Sequence, residues 1–309
     1  AWIDQRFAPR WLPRPNALFA GIGVLMLVTV PNMFNRPEIC FPVWVQVALF
    51  LLAIYFIMRG LTGDIAVHDA PNRAEPAWSW VQLRMAIRAR LSQREAWLVV
   101  GVMMLALVLR VVDLERGVHW FVDEMHSAQA VVDLRETPYA PIFTPHSELT
   151  AFTWVYPLMQ SLGVAIYGPT LTGLRVVSAL MGAGTVLALW WLARSLFDRR
   201  IAFIAVLLLA TFPPHLHFSR IGINNIADPV FGTLALGLLL RGLDPKRGNR
   251  PIDFALAGAM LGMTQYFYEG GRLLFPVLTL AIVIVVIIHR RQRFRWRGGI
   301  IGALVFTMV

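Results

Sequence analysis

The sequence predicts an all-α polytopic membrane protein, and three observations support this fold class. Hydrophobic residues make up 57% of the 309 residues, the mean hydropathy is +0.61, and 15% of the residues are charged. Charged residues make up about a quarter of a typical soluble domain. Apolar runs recur along the whole chain, and none alternates polar and apolar residues as membrane β-barrel strands do. Since lipid offers no hydrogen bonds to an open backbone, these runs predict membrane-spanning helices.

Eight apolar runs predict the helices of the bundle in order along the chain. They cover residues 16–34, 42–58, 96–112, 171–193, 200–214, 226–243, 252–268 and 273–288. The shortest hold only about 15–17 residues, where about 20 cross a bilayer, and so predict short, tilted or broken helices. The first run lacks a small-residue cleavage site, which favours a retained helix over a signal peptide. A ninth run, 298–309, is too short to span and predicts a bundle that is incomplete at its C-terminus.

Arginine accounts for almost all of the net charge of +10, because Lys246 is the only lysine. The arginines cluster at the ends of apolar runs, which is typical of topology signals and of contact with membrane lipids, and predicts no nucleic-acid partner. They precede the first run and follow the second, fourth, sixth and eighth runs. All of these ends share one side of the membrane if the N-terminus is cytoplasmic, and this is the topology that the sequence predicts.

The same pattern divides the chain into two parts. Residues 1–95 predict two N-terminal transmembrane helices and a basic amphipathic segment, 78–94, on the cytoplasmic surface. Residues 96–309 predict the transmembrane core, with an external loop over residues 113–169. Cys40 is the only cysteine, which excludes an intrachain disulfide and any metal site built from several cysteines.

The most informative feature of the external loop is an adjacent acid pair, Asp123 and Glu124. The loop holds seven acidic residues against two arginines, and an apolar run, 127–134, follows the pair. The pair is therefore predicted at the start of a short membrane-parallel helix, whose N-terminal dipole favours anions. Two interpretations remain open: the acids are solvated surface charge, or one of them is a general base for an acceptor hydroxyl.

Two further external segments, 215–228 and 266–272, carry polar residues beside the apolar runs. His217 and Arg220 follow the fifth run at headgroup depth, where arginine binds phosphate with two hydrogen bonds and where an H-x-H pair is a weak alternative for metal ligation. Asn224 extends this polar strip or caps the sixth helix.

Glu269 and Arg272 flank a Gly-Gly turn at the outer end of the seventh run. They pair with each other, or Arg272 holds an anionic donor. Arg175, near the outer start of the fourth run, snorkels to the membrane surface, seals a loop carboxylate or contacts the same phosphate.

With these segments in place, the chain resembles the bacterial C-type glycosyltransferases of family 39, the relatives of protein mannosyltransferases and aminoarabinose transferases. The resemblance covers residues 96–288. Its most specific parts are Asp123-Glu124, the helix pair from Leu174-Arg175 to Arg200 with its short basic turn, and Phe218-Ser219-Arg220. It implies a GT-C-like transmembrane helix bundle.

The resemblance also implies an activity at the outer face of the bacterial inner membrane. A sugar would pass from a polyprenyl-phosphate donor to a hydroxyl on a protein or lipid acceptor, with inversion at the anomeric carbon. Asp123 matches the family's catalytic acid, and Glu124 would orient the acceptor or the base. The leaving phosphate would be steadied by positive residues, with His217, Arg220, Arg272 and Arg175 as candidates. No cofactor is certain: a divalent cation is possible, although the sequence contains no Asp-x-Asp motif.

The alternative is a non-catalytic subunit that keeps this fold as a scaffold in a larger membrane complex. The two helices that precede the family's usual first helix fit that alternative, which predicts that Asp123 is salt-bridged or covered by partner subunits. A transporter or lipid flippase is disfavoured, because coupling sites place charged residues at the middle of spans and these runs hold few.

Overall fold

The computed structural model describes residues 14–34, 36–63, 93–116, 121–147, 150–244, 251–290 and 296–309. Most of the predicted amphipathic segment, residues 78–92, lies outside the described residues. Twelve α-helices and one two-stranded antiparallel hairpin form the described part of the chain. In chain order these elements are α1 (Pro15–Met33), α2 (Val43–Thr62), α3 (Gln93–Val111), α4 (Val122–Glu136), β1 (Pro145–Ser147), β2 (Thr150–Thr153), α5 (Val155–Tyr167), α6 (Leu171–Leu196), α7 (Arg199–Thr211), α8 (Pro213–Phe218), α9 (Ala227–Leu243), α10 (Pro251–Met263), α11 (Glu269–Arg290) and α12 (Trp296–Met308).

Each predicted apolar run coincides with a helix, which confirms an all-α polytopic membrane protein. Five helical segments are long and apolar enough to cross a membrane: Pro15–Met33, Val43–Thr62, Leu171–Leu196, Asn224–Leu243 and Glu269–Ile288. Helices α7, α10 and α12 have 13 residues each, so they are too short to cross a bilayer unless the bilayer becomes thinner around them. The short helix predicted after the acid pair is present as α4. Helix α5 was not predicted, because its 13 residues lie inside the segment assigned to the external loop.

Local sequence determines where the helices of the α5–α6–α7 segment begin and end. Gly168 ends α5 with φ = 77°, a left-handed conformation that glycine adopts without strain. The Thr170 hydroxyl accepts the Gly173 N–H at 3.2 Å and caps α6. Asp198 caps α7 by accepting the N–H groups of Arg200 and Ile201, and these hydrogen bonds lower the pKa of Asp198.

One end of the bundle, which we call the α4 end, collects the connections predicted to lie outside. The Val43 N–H donates to the Pro138 carbonyl at 2.9 Å, and the Thr153 hydroxyl donates to the Tyr266 carbonyl at 3.0 Å. These contacts join the connection after α1, the segment after α4 and the turn before α11. The structure therefore groups these connections as the arginine pattern predicts, while the side of the membrane stays a prediction.

The opposite end of the bundle carries the ion pairs among the basic connections. Arg194 at the end of α6 pairs with Glu95 at the start of α3, with 2.7 Å between Nε and Oε1. Arg241 at the end of α9 pairs with Asp253 at the start of α10 at 3.2 Å. Arginines that follow predicted spans are thus partly neutralised by acids of the neighbouring helices.

The α1–α2 hairpin packs on the core as well as on itself. Its two helices approach closely: a Cβ at Gly60 would lie 2.5 Å from the backbone nitrogen of Leu18. The hairpin shares a buried apolar cluster with α10 and α12, formed by Leu18, Phe50, Ile57, Met58, Leu61, Ala255, Ala259, Ile301, Val305 and Val309. The two parts predicted from the charge pattern are therefore packed against each other.

Candidate functional site

The acid pair lies in the first turn of α4, and its two side chains have opposite environments. Phe121 is the N-cap residue, and its N–H donates to Oε2 of Glu124 at 3.1 Å. This contact is one half of a capping box, which glutamate forms from the third helical position. Glu124 is completely buried, whereas Asp123, one residue earlier, is exposed.

Glu124 forms a buried two-pronged ion pair with Arg175 of α6. Nε of Arg175 lies 2.6 Å from Oε1, Nη2 lies 2.6 Å from Oε2, and both side chains are 0% exposed. The third nitrogen of Arg175, Nη1, donates to the Leu114 carbonyl at 2.6 Å. Planar guanidinium matches carboxylate in this geometry, and the additional hydrogen bond helps to offset the cost of burying both charges.

The same carboxylate also holds the segment between α8 and α9. The Gly222 N–H donates to Oε1 of Glu124 at 2.6 Å, and Nε2 of Gln160 donates to the carbonyls of Gly222 and Leu174. We call Glu124, Arg175, Gly222 and Gln160 the Glu124 network. It joins α4, α5, α6 and the α8–α9 connection through one fully buried anion.

Tyr156 lies beside this network on α5. Its hydroxyl forms a 2.6 Å hydrogen bond with Ser178 of α6. Burial raises the pKa of Tyr156, and the negative charge of Glu124 raises it further. The phenol therefore stays protonated and acts as a hydrogen-bonding group.

Asp123 is the acid of the pair that remains available. Within the part of the chain that the structure describes, its carboxylate forms no hydrogen bond and no ion pair, and it lies on the exposed face of α4. The partial positive charge of the helix N-terminus stabilises an anion there. An exposed, unoccupied carboxylate is the form in which an acid can accept a proton from a bound hydroxyl.

Two arginines cap helix C-termini at the α4 end: Arg220 caps α3, and Arg110 caps α7. Arg220 donates to the carbonyls of Leu109 and Asp113, at 2.6 and 3.1 Å, where α3 ends. Arg110, fully buried in α3, donates to the Ala210 carbonyl at the end of α7 at 3.1 Å. Cations at helix C-termini satisfy carbonyls that have no partner within the helix.

His215 completes this arrangement on α8. Its Nδ1 lies 3.0 Å from Nη2 of Arg110, so Nδ1 serves as the acceptor and the imidazole is neutral. Burial lowers the pKa of His215 to about 4, and the charge of Arg110 contributes to this shift.

The remaining predicted residues lie near the start of α11 and on α8. Nε of Arg272 donates to the Gln265 carbonyl at 2.8 Å, and the Asn224 amide donates to the Phe267 carbonyl at 2.7 Å. Glu269 is exposed in the first turn of α11. His217 is exposed, and its ring contacts Phe218 edge to face with 5.7 Å between centroids.

Asp228 faces these residues from the first turn of α9 and is 3% exposed. Its carboxylate lies against Gly271, where a Cβ would collide with it. The N-terminus of α11 thus lies beside a carboxylate, as the N-terminus of α4 does. Glycine at this position is explained by the close approach of the carboxylate.

The structure therefore brings the predicted residues to one end of the bundle in two groups. Glu124 and Arg175 are in direct contact, and Arg220 joins them because Arg175 and Arg220 bind the consecutive carbonyls of Leu114 and Asp113. Asn224 and Arg272 form the second group, at the start of α11. Within the described residues, no group of three or more His, Cys, Asp or Glu side chains is placed to hold a metal ion, and the divalent cation stays a prediction.

Sequence reasoning missed three residues that organise this end: Gly222, Gln160 and Arg110. Arg110 is a charged residue inside the third apolar run, which is a recognisable signal, since such residues are rare in spans without a partner. Gln160 lies on α5, inside the segment assigned to the external loop, where a polar residue gives no such signal. Gly222 contributes only its backbone, so no side-chain pattern could identify it.

Comparison with known proteins identifies one family. The model of the family described as dolichyl-phosphate-mannose-protein mannosyltransferase matches residues 153–309, half of the chain. The match includes Arg175, Arg220 and Arg272, and it begins after Asp123 and Glu124. No curated protein and no solved structure matches the chain. The chain belongs to the dolichyl-phosphate-mannose-protein mannosyltransferase family, and is thus a membrane glycosyltransferase by family.

Proposed function

We propose that this protein transfers a sugar from a polyprenyl-phosphate donor to a hydroxyl group of a protein or lipid acceptor, at the outer face of the bacterial inner membrane. One observation carries the proposal: of two adjacent acids at the start of α4, Glu124 is buried and fully bonded while Asp123 is exposed. A single available carboxylate beside a rigid anchor is the arrangement that a positioned general base requires.

The proposed reaction is a single displacement. Asp123 takes the proton of the acceptor hydroxyl as its oxygen attacks the anomeric carbon of the sugar. The bond between that carbon and the phosphate oxygen of the lipid breaks, and its electron pair leaves with the phosphate. One bond forms and one breaks on opposite faces of the same carbon, so the configuration at that carbon is inverted.

Glu124 and Arg175 have a positioning role in this proposal. Their charges neutralise each other inside the Glu124 network, and four hydrogen bonds to the carboxylate fix the first turn of α4. Asp123 is adjacent to that anchored residue, so its backbone is held within a narrow range of positions. Such restraint contributes to catalysis because the reacting groups are already in place.

Positive residues at the α4 end would stabilise the leaving phosphate. Arg220 uses Nη1 and Nη2 for one backbone carbonyl each, which leaves further N–H groups of its guanidinium for an anion. Arg272 is half-buried and His217 is exposed at the same end. We assign the phosphate contacts to these three residues, while Arg175 acts through Glu124.

The test is sugar transfer in membranes from radiolabelled polyprenyl-phosphate sugars. The family description names mannose on dolichyl phosphate and a protein acceptor, so this pair is assayed first. Asp123→Asn keeps the shape of the side chain and removes the base. We expect transfer to fall by about 100-fold or more, the usual contribution of a general base.

Glu136→Gln is the matched control, because Glu136 is an exposed acid at the other end of the same helix. It should transfer sugar at the wild-type rate. Full activity of Asp123→Asn would exclude Asp123 as the base. Absence of transfer by the wild type with several donor sugars and acceptors would favour the scaffold alternative, for which co-purifying membrane subunits are the next measurement.

A further inference from the structure

The α1–α2 hairpin lies before the residues that the family model matches, yet it is joined to the helix that carries Asp123. Two amides make the join, Asn32 of α1 and Gln46 of α2, which are 2% and 1% exposed. Nδ2 of Asn32 donates to Oε1 of Gln46 at 2.8 Å. We call these two residues the amide clamp.

The amide clamp holds the segment that follows α4. The Phe143 N–H donates to Oδ1 of Asn32 at 2.9 Å, and Nε2 of Gln46 donates to the Ala140 carbonyl at 2.9 Å. One turn away, the Val43 N–H donates to the Pro138 carbonyl at 2.9 Å. Three hydrogen bonds therefore connect the hairpin to residues 138–143.

Every hydrogen-bonding atom of the clamp has a partner. The second N–H of Asn32 donates to the Val28 carbonyl, and the second N–H of Gln46 donates to the Phe41 carbonyl. Buried amides are costly when unbonded, and leucine would satisfy the packing of a helical hairpin equally well. The presence of amides here is explained by the Phe143 N–H and the Ala140 carbonyl, which need hydrogen-bond partners inside the protein.

Apolar packing extends the same connection. Val43 of α2 shares a buried cluster with Leu134 in the last turn of α4, with Ala140 and Ile142 of the clamped segment, and with Leu158 of α5. Helix α4 is thus fixed at both ends: the Glu124 network holds its first turn, and the hairpin holds its last turn and the chain beyond it.

We infer that the α1–α2 hairpin is part of the catalytic unit, with Asn32 and Gln46 as positioning residues that set the tilt of α4 and thereby the direction of Asp123. A helix anchored at one end pivots about that anchor. A tilt of about 15° over a lever of about 5 Å moves a carboxylate by more than about 1 Å, and such a displacement costs up to about 100-fold in rate. The activity part of this inference rests on the proposed function.

The first experiment measures the position of α4 directly. In a Cys40→Ser background, which leaves no native cysteine, spin labels are attached at Val132→Cys, in the half of α4 away from the Glu124 anchor, and at Phe212→Cys after α7, both exposed positions. The test variant is Asn32→Leu with Gln46→Met, and Gln46→Met alone serves if the double variant does not fold. Thr29→Val is the matched control, because Thr29 lies one turn away on α1 and, among the described residues, its hydroxyl bonds only to the Leu25 carbonyl.

We expect a broader or shifted distance distribution in the clamp variant and an unchanged one in Thr29→Val. The same clamp variant without labels should transfer sugar with a kcat about 10- to 100-fold lower per folded molecule and a donor KM within about twofold of wild type. A purely structural role would reduce the amount of folded protein and leave kcat unchanged.

Wild-type distances or a wild-type kcat in a folded clamp variant would overturn the inference. Absence of transfer by the wild type would instead overturn the proposed function, and the distance distributions would still decide whether the clamp positions α4.

Discussion

Removing the charge of Glu124 should strongly destabilise the folded protein, because Glu124 is the buried carboxylate that Arg175 binds with two hydrogen bonds. Both side chains are 0% exposed, and the carboxylate accepts four hydrogen bonds. In Glu124→Gln, one carboxylate oxygen becomes an NH₂ group. Each oxygen faces two N–H donors, from Arg175 and Gly222 on one side and from Arg175 and Phe121 on the other. Either orientation of the amide therefore places donors against donors.

The expected loss of stability follows from this geometry. Removing one partner of a buried ion pair leaves the other charge buried and unpaired, which costs about 3–5 kcal/mol. At about 2 °C per kcal/mol, the value for large domains, the midpoint of thermal unfolding in detergent should fall by about 6–10 °C. Glu136→Gln, on the exposed side of the same helix, should leave the midpoint within about 1 °C, since exposed charges contribute little.

A double variant separates the loss of the pair from the loss of one charge. Glu124→Leu with Arg175→Leu buries no charge, so it should be more stable than either single variant. A midpoint for Glu124→Gln equal to that of Glu136→Gln would refute the reasoning. So would a double variant whose loss equals the sum of the single losses, because the two side chains would then be energetically independent.

Two further predictions concern neighbouring parts of the α4 end. Gly182→Ala should lower the free energy of unfolding by about 1–3 kcal/mol, measured by thermal unfolding, because its Cβ would lie 2.4 Å from Cβ of Ser219. Gly184→Ala should leave the free energy of unfolding nearly unchanged, because its Cβ would lie 3.5 Å from the nearest atom. The pKa of His215 falls from 6.5 to about 4, so the unfolded chain binds a proton that the folded protein does not. Stability should therefore decrease by up to about 3 kcal/mol as pH falls from about 6.5 to about 4, and His215→Asn, which keeps an acceptor for Arg110, should reduce that decrease.

The sequence predicted the helices well because their signals are local. Each apolar run is a continuous stretch of about 15 residues or more, and the arginines that follow alternate runs indicate which helix ends lie on the same side. The exceptions have local causes as well: α5 has an amphipathic sequence within a polar loop, and α7 and α10 end early, at Thr211 and Met263, because a second short helix and a 3-10 turn complete the predicted runs.

The partners inside the site were not predictable, because they are distant in sequence. Glu124 meets Arg175 across 51 positions and the Gly222 N–H across 98. Arg220 reaches the end of α3 across 111 positions. The sequence indicated Glu124, Arg175 and Arg220 as candidates, but the identity of each partner depends on how α3, α6 and the α8–α9 connection meet.

The different environments of the two acids follow from helix geometry. Successive residues of an α-helix are rotated by about 100°, so two adjacent acids in a first turn cannot both point into the protein. Glu124 occupies the third helical position, from which a glutamate reaches back to the N-cap N–H, and Arg175 lies on the same inner side. Asp123 is then directed to the exposed face, beside a residue that cannot move. An Asp-Glu pair at a helix start thus combines an anchor with an available base, and exchanging the two residues should lose both functions: the shorter aspartate would not span to Arg175, and the longer glutamate would be less restrained.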